Sequence, residues 1–286
     1  MEPSPKSLIL DLLSTLRRGA MPVRVLVSAG EHFGIPGNNI RVALARLLAA
    51  GRVERDERGR YRIGERGQAL NRRVMSWRRV EERLRPWRGD WVAVLAGGIP
   101  RGTRSEQRNA AHALRVLGFE TLEPGIVLRP DNLVGGAPAL RESLLHLGLH
   151  PRTPVVTLGD LDPEREARAR SLWDAERLVA ELRVIRREIE TGLERLPGLP
   201  TEQAMVESFR VGGRALRAIV LDPLLPDALV PGDERRALVA AMEAYDRLGR
   251  EAWRGFMEAH GVLSQRAPLD TRMTDRPLAA AGGGMA

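Results

Sequence analysis

The sequence contains no cysteine and a single lysine, Lys6. The first absence excludes disulfides and thiolate metal sites, and a reducing compartment is the expected home. No apolar run approaches the roughly 20 residues that a bilayer-spanning helix needs. Near the N-terminus, Asp11, Arg17 and Arg18 interrupt what would otherwise read as a leader. A cytoplasmic protein with no membrane partner is therefore expected. Also missing are a G-x-G-x-x-G run after a strand, a phosphate-loop lysine and a G-x-S-x-G elbow. Nucleotide hydrolysis and acyl transfer thus lack support. No internal repeat is present.

What is there is arginine, and it is unevenly placed. The 286 residues carry 45 basic and 37 acidic side chains, a net charge of +8. Residues 1–88 hold 19 basic and 9 acidic residues, and the rest of the chain holds 26 and 28. All of the positive excess sits in the first third. With lysine nearly absent, the grip is built from guanidinium groups, which fork onto phosphates and guanine edges.

That first third reads as three helices and a hairpin. Ser7 to Arg18 puts Leu8, Leu12, Leu13 and Leu16 on one helical face. Gly19 to Pro22 is a break, with Pro22 suited to a helix start. VRVLVSAGEHFG forms a second helix. IPGNN opens a third, IRVALARLLAA, which Gly51 stops. In the third helix Ile40, Ala43, Leu44, Leu47 and Leu48 should pack inward. Asn38, Asn39, Arg41, Val42, Ala45, Arg46 and Ala49 then face out. RVER and RYRI follow as a small hairpin with Gly59 at its corner. This order matches a winged helix-turn-helix, whose third helix reads the major groove while the hairpin lies along phosphates. Candidate DNA contacts are Asn38, Asn39, Arg41 and Arg46 at base edges, and Arg55, Arg58, Arg60 and Arg62 on the backbone. Asn38 and Asn39 serve equally well as helix caps.

GQALNRRVMSWRRVEERLRPW reads as a long connecting helix, with Leu70, Val74, Trp77, Val80 and Leu84 at helical spacing. From Trp87 the texture changes. WVAVLAGGI is a strand, SEQRNAAHALRVLG a helix, FETLEPGIVLRPD a strand–turn–strand, ALRESLLHLGL a helix and TPVVTLGDL a strand. A β-α-β-β-α-β order suggests a ferredoxin-like sandwich. From Leu172 the chain is helical, with a stop at LPGLP, a stiff DPLLPDALVP segment and a helix pair from Glu234 to His260. The expected divisions are 1–66, a DNA-binding domain; 67–88, a connecting helix; 89–170, the ferredoxin-like domain; 171–262, a helical domain; and 263–286, a disordered tail. The fold class is α+β and multi-domain.

These segments together resemble the PaaX-type transcriptional regulators, repressors of phenylacetate catabolism. The carriers are SLILDLL, IRVALARLLAAGRVER, GRYRIGERG, WRGDWVAVLAG, LRVLGFETLEPGIVLRPDNL, LWDAERLVAELR and DPLLPDALVP. The resemblance implies a homodimer with a Cas2-like middle domain, bound to double-stranded operator DNA with an inverted repeat. It also implies release by an acyl-CoA effector, typically phenylacetyl-CoA, whose binding residues it does not name. Two features depart from the family pattern: VPGDERR lacks the usual tryptophan, and the recognition helix opens on GNN rather than on charged residues.

The same sequence offers residues for other chemistry. A metal-dependent nuclease built on the middle domain is the rival reading, and it needs carboxylates at the end of the first strand. Asp90 precedes that strand, and Asp131, Asp160 and Asp162 lie in loops. His146 and His150, four apart in HLGLH, are either a metal-chelating pair or a helix end. Trp77, Trp87, Trp91, Trp173 and Trp253 are core anchors or pocket walls. Arg186 and Arg187 face solvent or coenzyme A phosphates. No metal, no resident cofactor and no catalysis are expected.

Overall fold

Leucines at helical spacing build the first core. Helix α1 (Pro5–Ser14) buries Leu8, Ile9, Leu12 and Leu13. Helix α2 (Val23–His32) buries Val25, Leu26, Ala29 and Gly30, and α3 (Gly37–Ala49) buries Ile40, Leu44 and Leu47. Leu48, expected to point inward, is 40% exposed. At 100° per residue it falls on the edge of the stripe that Ile40, Leu44 and Leu47 define. The computed structural model describes residues 3–14, 20–65, 67, 71, 74–95 and 103–262. Leu16, Arg17, Arg18 and the expected tail over 263–286 lie outside the described residues.

Strands β2 (Val53–Arg55) and β3 (Arg60–Ile63) pair antiparallel, with Glu54 opposite Arg62 and Arg55 opposite Tyr61. A two-residue strand that periodicity does not reveal, β1 (Met21–Pro22), pairs on the other edge of β3. Pro22 takes an edge position, where its missing N–H breaks no ladder. It then serves as the N-cap residue of α2.

The connecting helix expected over 67–88 is not continuous. The described residues up to Met75 are helical, but two 3₁₀ turns follow, Trp77–Arg79 and Glu81–Arg83, and the chain then extends. Pro86 disfavours helical geometry at the residue before it. The freed backbone pairs instead with residues 132–134. Arg85 N donates to Asn132 O at 2.8 Å, and Val134 N donates to Arg83 O at 2.8 Å. Leu70 lies outside the described residues.

The second sheet holds β4 (Trp91–Leu95), β5 (Glu120–Glu123), β6 (Ile126–Pro130) and β7 (Val155–Leu158) in the order β5-β6-β4-β7, all antiparallel. Helix α4 (Arg104–Val116) joins β4 to β5, and α5 (Gly136–His146) joins β6 to β7. Reciprocal hydrogen bonds between Thr103 and Glu106 open α4, a cap worth about 1 kcal/mol. Strand β4 is buried on both faces, which is why WVAVL reads as an unbroken apolar run. Val92 and Val94 meet Leu117, Phe119, Leu140 and Val155. Trp91 and Ala93 meet Leu128, Ala169, Trp173 and Leu225. Trp91 stacks on Trp173 with centroids 6.1 Å apart.

Beyond the sheet come α6 (Pro163–Arg170), α7 (Ala175–Arg195), α8 (Thr201–Leu221) and α9 (Asp233–Ala259). Helix α6 was not anticipated, although its signal is present in the sequence. Asp162 caps it by accepting from Arg165 N at 3.0 Å, and Pro163 occupies the first turn. The expected helix pair after Glu234 is one helix, α9. Gly249 sits inside it without a break, because its bare Cα lets α8 approach; a Cβ there would lie 3.2 Å from Ser208 Cβ. Gly192 does the same for α7, where a Cβ would stand 2.6 Å from the Tyr245 ring. The DPLLPDALVP segment is pinned by buried polar groups. Asn132 Nδ2 donates to Leu224 O at 2.8 Å, and the Arg129 guanidinium, 1% exposed, donates to the same oxygen at 3.3 Å.

The first core does not end with the three-helix unit. Met257 and Val262 are buried in it, and Val206, Phe209, Trp253 and Phe256 pack against it. Phe33 meets Phe209 edge-on at 5.0 Å and stacks on Trp253 at 6.4 Å. The basic unit is thus seated on the ends of α8 and α9. The architecture is α+β, and no described helix is long and apolar enough to cross a membrane.

Candidate nucleic-acid interface

Burying Ile40, Leu44 and Leu47 fixes the roll of α3 and turns its other face to solvent. Asn38, Asn39, Arg41, Val42, Ala45, Arg46 and Ala49 are all exposed, as their spacing predicts. No side chain caps α3 at its N-cap position, Pro36. Asn38 and Asn39 are therefore not occupied as caps. Arg41 and Arg46 have no ionic or hydrogen-bonded partner among the described residues. Val42, 42% exposed, places an apolar side chain between these polar groups.

The hairpin tip is shaped by Asp56. Its carboxylate accepts from Arg58 N at 3.0 Å and from Arg60 N at 2.8 Å, while Gly59 N donates to Asp56 O at 3.0 Å. Gly59 has φ of +72°, a conformation that favours glycine. This turn lifts Arg58 clear, and its guanidinium has no partner among the described residues. Arg55 lies over the Tyr61 ring at 6.0 Å and stays exposed. The other two hairpin arginines are engaged. Arg60 Nε donates to Ala20 O at 3.0 Å. Arg62 bonds Glu54 across the strands, 3.0 Å from Nη2 to Oε2.

One cation on this surface was missed from the sequence. Arg24, in the first turn of α2, is exposed and unpaired among the described residues. It stands one turn before Val27, whose side chain crowds Gly37 at the start of α3. The two share a helix face. Arg24 therefore lies one helical turn from the α2–α3 contact, a position that only this helix–helix contact reveals.

The remaining sequence candidates are scattered. His146 Nδ1 bonds the carbonyl of Glu142 at 2.8 Å, and His150 Nδ1 accepts from Arg152 N at 3.2 Å. Asp131 pairs with Arg85 at 2.6 Å, and Asp162 is the cap of α6. Among the described residues no three His, Asp or Glu gather as a metal cluster. Arg186 bonds Glu234 at 2.9 Å and Glu190 on its own helix, contacts that hold its pKa above the ordinary arginine value.

Residues 4–67, which contain every side chain of this surface, match the family model of PaaX-like proteins. The N-terminal unit is PaaX-like. Beyond this unit the fold also has a counterpart. The solved structure of the uncharacterized protein Rv0674 from Mycobacterium tuberculosis superposes with a TM-score of 0.55 and 24% sequence identity. The match covers 88% of this chain and 97% of that one. At that identity the likeness concerns the fold alone. No curated protein matches. The PaaX-like unit is thus the part of the chain in which sequence family and exposed cationic surface coincide.

Proposed function

We propose that this protein is a sequence-specific DNA-binding transcriptional regulator, a homodimeric repressor with one winged helix-turn-helix per protomer. The observation that carries the reading is α3. It has an apolar face locked into a core, an outer face with Asn38, Asn39, Arg41 and Arg46 unpaired among the described residues, and a basic hairpin beside it, all inside the PaaX-like segment. A helix with that outer face suits the major groove, where arginine reads guanine and asparagine reads adenine. Arg55 and Arg58 would neutralise phosphates, with Arg24 as a third contact. Arg60 and Arg62 would act mainly by holding the wing in shape.

The strand order β5-β6-β4-β7 supports a ferredoxin-like, Cas2-like middle domain over 89–170, and α7 to α9 support a helical domain over 171–262. Two protomers would read an inverted repeat, and an acyl-CoA effector, the ligand class implied by the resemblance, would release it. Release requires that the effector prefer one of two dimer geometries. The protein would be cytoplasmic, with no catalytic step of its own.

Fluorescence anisotropy with DNA from upstream of its own gene tests this. The expected result is tighter binding to that DNA than to scrambled DNA, with the preference lost in an Arg41→Ala/Arg46→Ala variant. Equal affinity for both DNAs, or an unchanged preference in the variant, would overturn it.

A further inference from the structure

The segment leading away from the PaaX-like unit forms one wall of a cleft of about 380 Å³, within the size range of small-molecule sites. The apolar part of its lining is Val134, 58% exposed, and half-buried Ala139, over the buried Leu117, Leu133 and Leu140. Three charged side chains line it as well. Arg79 and Glu82 stand 3.9 Å apart on the same wall and largely offset each other. Arg83 is different. It is half-buried and has no ionic or hydrogen-bonded partner among the described residues. Burial pulls its pKa below the ordinary arginine value, with no carboxylate pulling it back. A desolvated guanidinium without a counterion is costly, and an anion entering the cleft would supply the missing partner.

We infer that this cleft binds a small monocarboxylate with an apolar body, an alkyl or aryl acid. Its carboxylate would lie on Arg83 and its hydrocarbon along Val134 and Ala139, above the edges of Leu117, Leu133 and Leu140. Among the described residues the wall offers one uncompensated positive charge, which matches one negative charge. A coenzyme A thioester, with several phosphate charges and a larger body, is a poorer match, so this ligand is distinct from the acyl-CoA effector. The wall is also mechanically connected. Arg83 O accepts from Val134 N, and Arg78 on the preceding turn is ion-paired to Asp246 of α9. An occupant would therefore press on the segment that joins the DNA-binding unit to the rest of the chain. That consequence rests on the function proposed above; the binding itself does not.

Isothermal titration calorimetry on the full chain tests the site, with octanoate and 3-phenylpropionate as probes and octylamine as the cationic control. The acids should bind saturably with one site per chain, and octylamine should not. Arg83→Gln should weaken octanoate about tenfold or more, as loss of a charged hydrogen bond does, and Arg83→Lys should recover part of the loss. Ser143 is an exposed lining residue, so Ser143→Trp should block the cleft without disturbing the core. Absence of binding by either acid, equal binding of octylamine, unchanged affinity in Arg83→Gln, or tighter binding of octanoyl-CoA at the same cleft would overturn the inference. Anisotropy on promoter DNA without acid, run in parallel, separates the two claims. Loss of acid binding with DNA binding intact counts against the cleft alone, and the reverse counts against the regulator alone.

Discussion

Arg60, on the hairpin, donates its guanidinium to the carbonyl of Ala20 just before β1, with Nε 3.0 Å from the oxygen. The bond joins positions forty residues apart and closes the three-stranded sheet around β3. In a stretch as rich in arginine as RGRYRIGERG, neighbours of the same type therefore do different things. Arg58 projects from the turn and Arg60 holds the turn in place.

Substitution separates the two roles. Arg58→Ala should leave thermal stability unchanged and reduce the dependence of log affinity on log salt by about one unit, for loss of one phosphate contact. Arg60→Ala should instead lower stability by about 1–2 kcal/mol, since a charged donor to a partly buried carbonyl is lost. Thermal melts and salt-dependent anisotropy on both variants check this.

Base readout has another signature. Arg46→Ala should cost about 1–3 kcal/mol in binding, concentrated at one operator position. Binding to a panel of single-base operator variants measures it, and a uniform loss across the panel would move Arg46 to the phosphates.

The helix crossings make a paired prediction. Gly192→Ala brings a Cβ to 2.6 Å from the Tyr245 ring and should destabilise by about 1–3 kcal/mol despite the better helix propensity of alanine. Gly213→Ala, on α8 with nothing within 4 Å, should stabilise by about 0.5–1 kcal/mol. Denaturant midpoints of the two variants should move in opposite directions.

Asp11 gives the unit a pH response. Partial desolvation by its neighbours pushes its carboxyl up to about 6, against the pull of Arg217, while an unfolded chain titrates near 3.8. The native state thus holds this proton to higher pH than the unfolded chain does. Its contribution is full below about pH 4 and is lost as pH rises through about 6. The residue keeps an exposed surface, so screening limits the effect to about 1 kcal/mol. Melting temperatures of the wild type should fall relative to Asp11→Asn across that window.

Much of this fold is legible in the periodicity of the sequence. The outward set on α3, the hairpin, the corner at Gly59 and the strand–helix order of the second sheet follow from local spacing and turn chemistry. What escaped depended on contacts distant in sequence. Strand β1 exists because β3 offers it an edge, and the expected connector gives way because residues 132–134 capture its backbone. The engagement of Arg60 requires knowing where Ala20 lies. By contrast, the Glu54–Arg62 pair was within reach once the hairpin register was drawn. Helix α6 was also readable from Asp162-Pro163-Glu164, a cap followed by a first-turn proline.

The central claim is that α3 enters the major groove of DNA. Guanine-N7 methylation interference on the fragment upstream of the gene tests it most directly, because N7 faces that groove alone. The account predicts two clusters of interfering guanines whose centres lie about one helical turn, or a multiple of it, apart. Unimpaired binding to fully methylated DNA would contradict it.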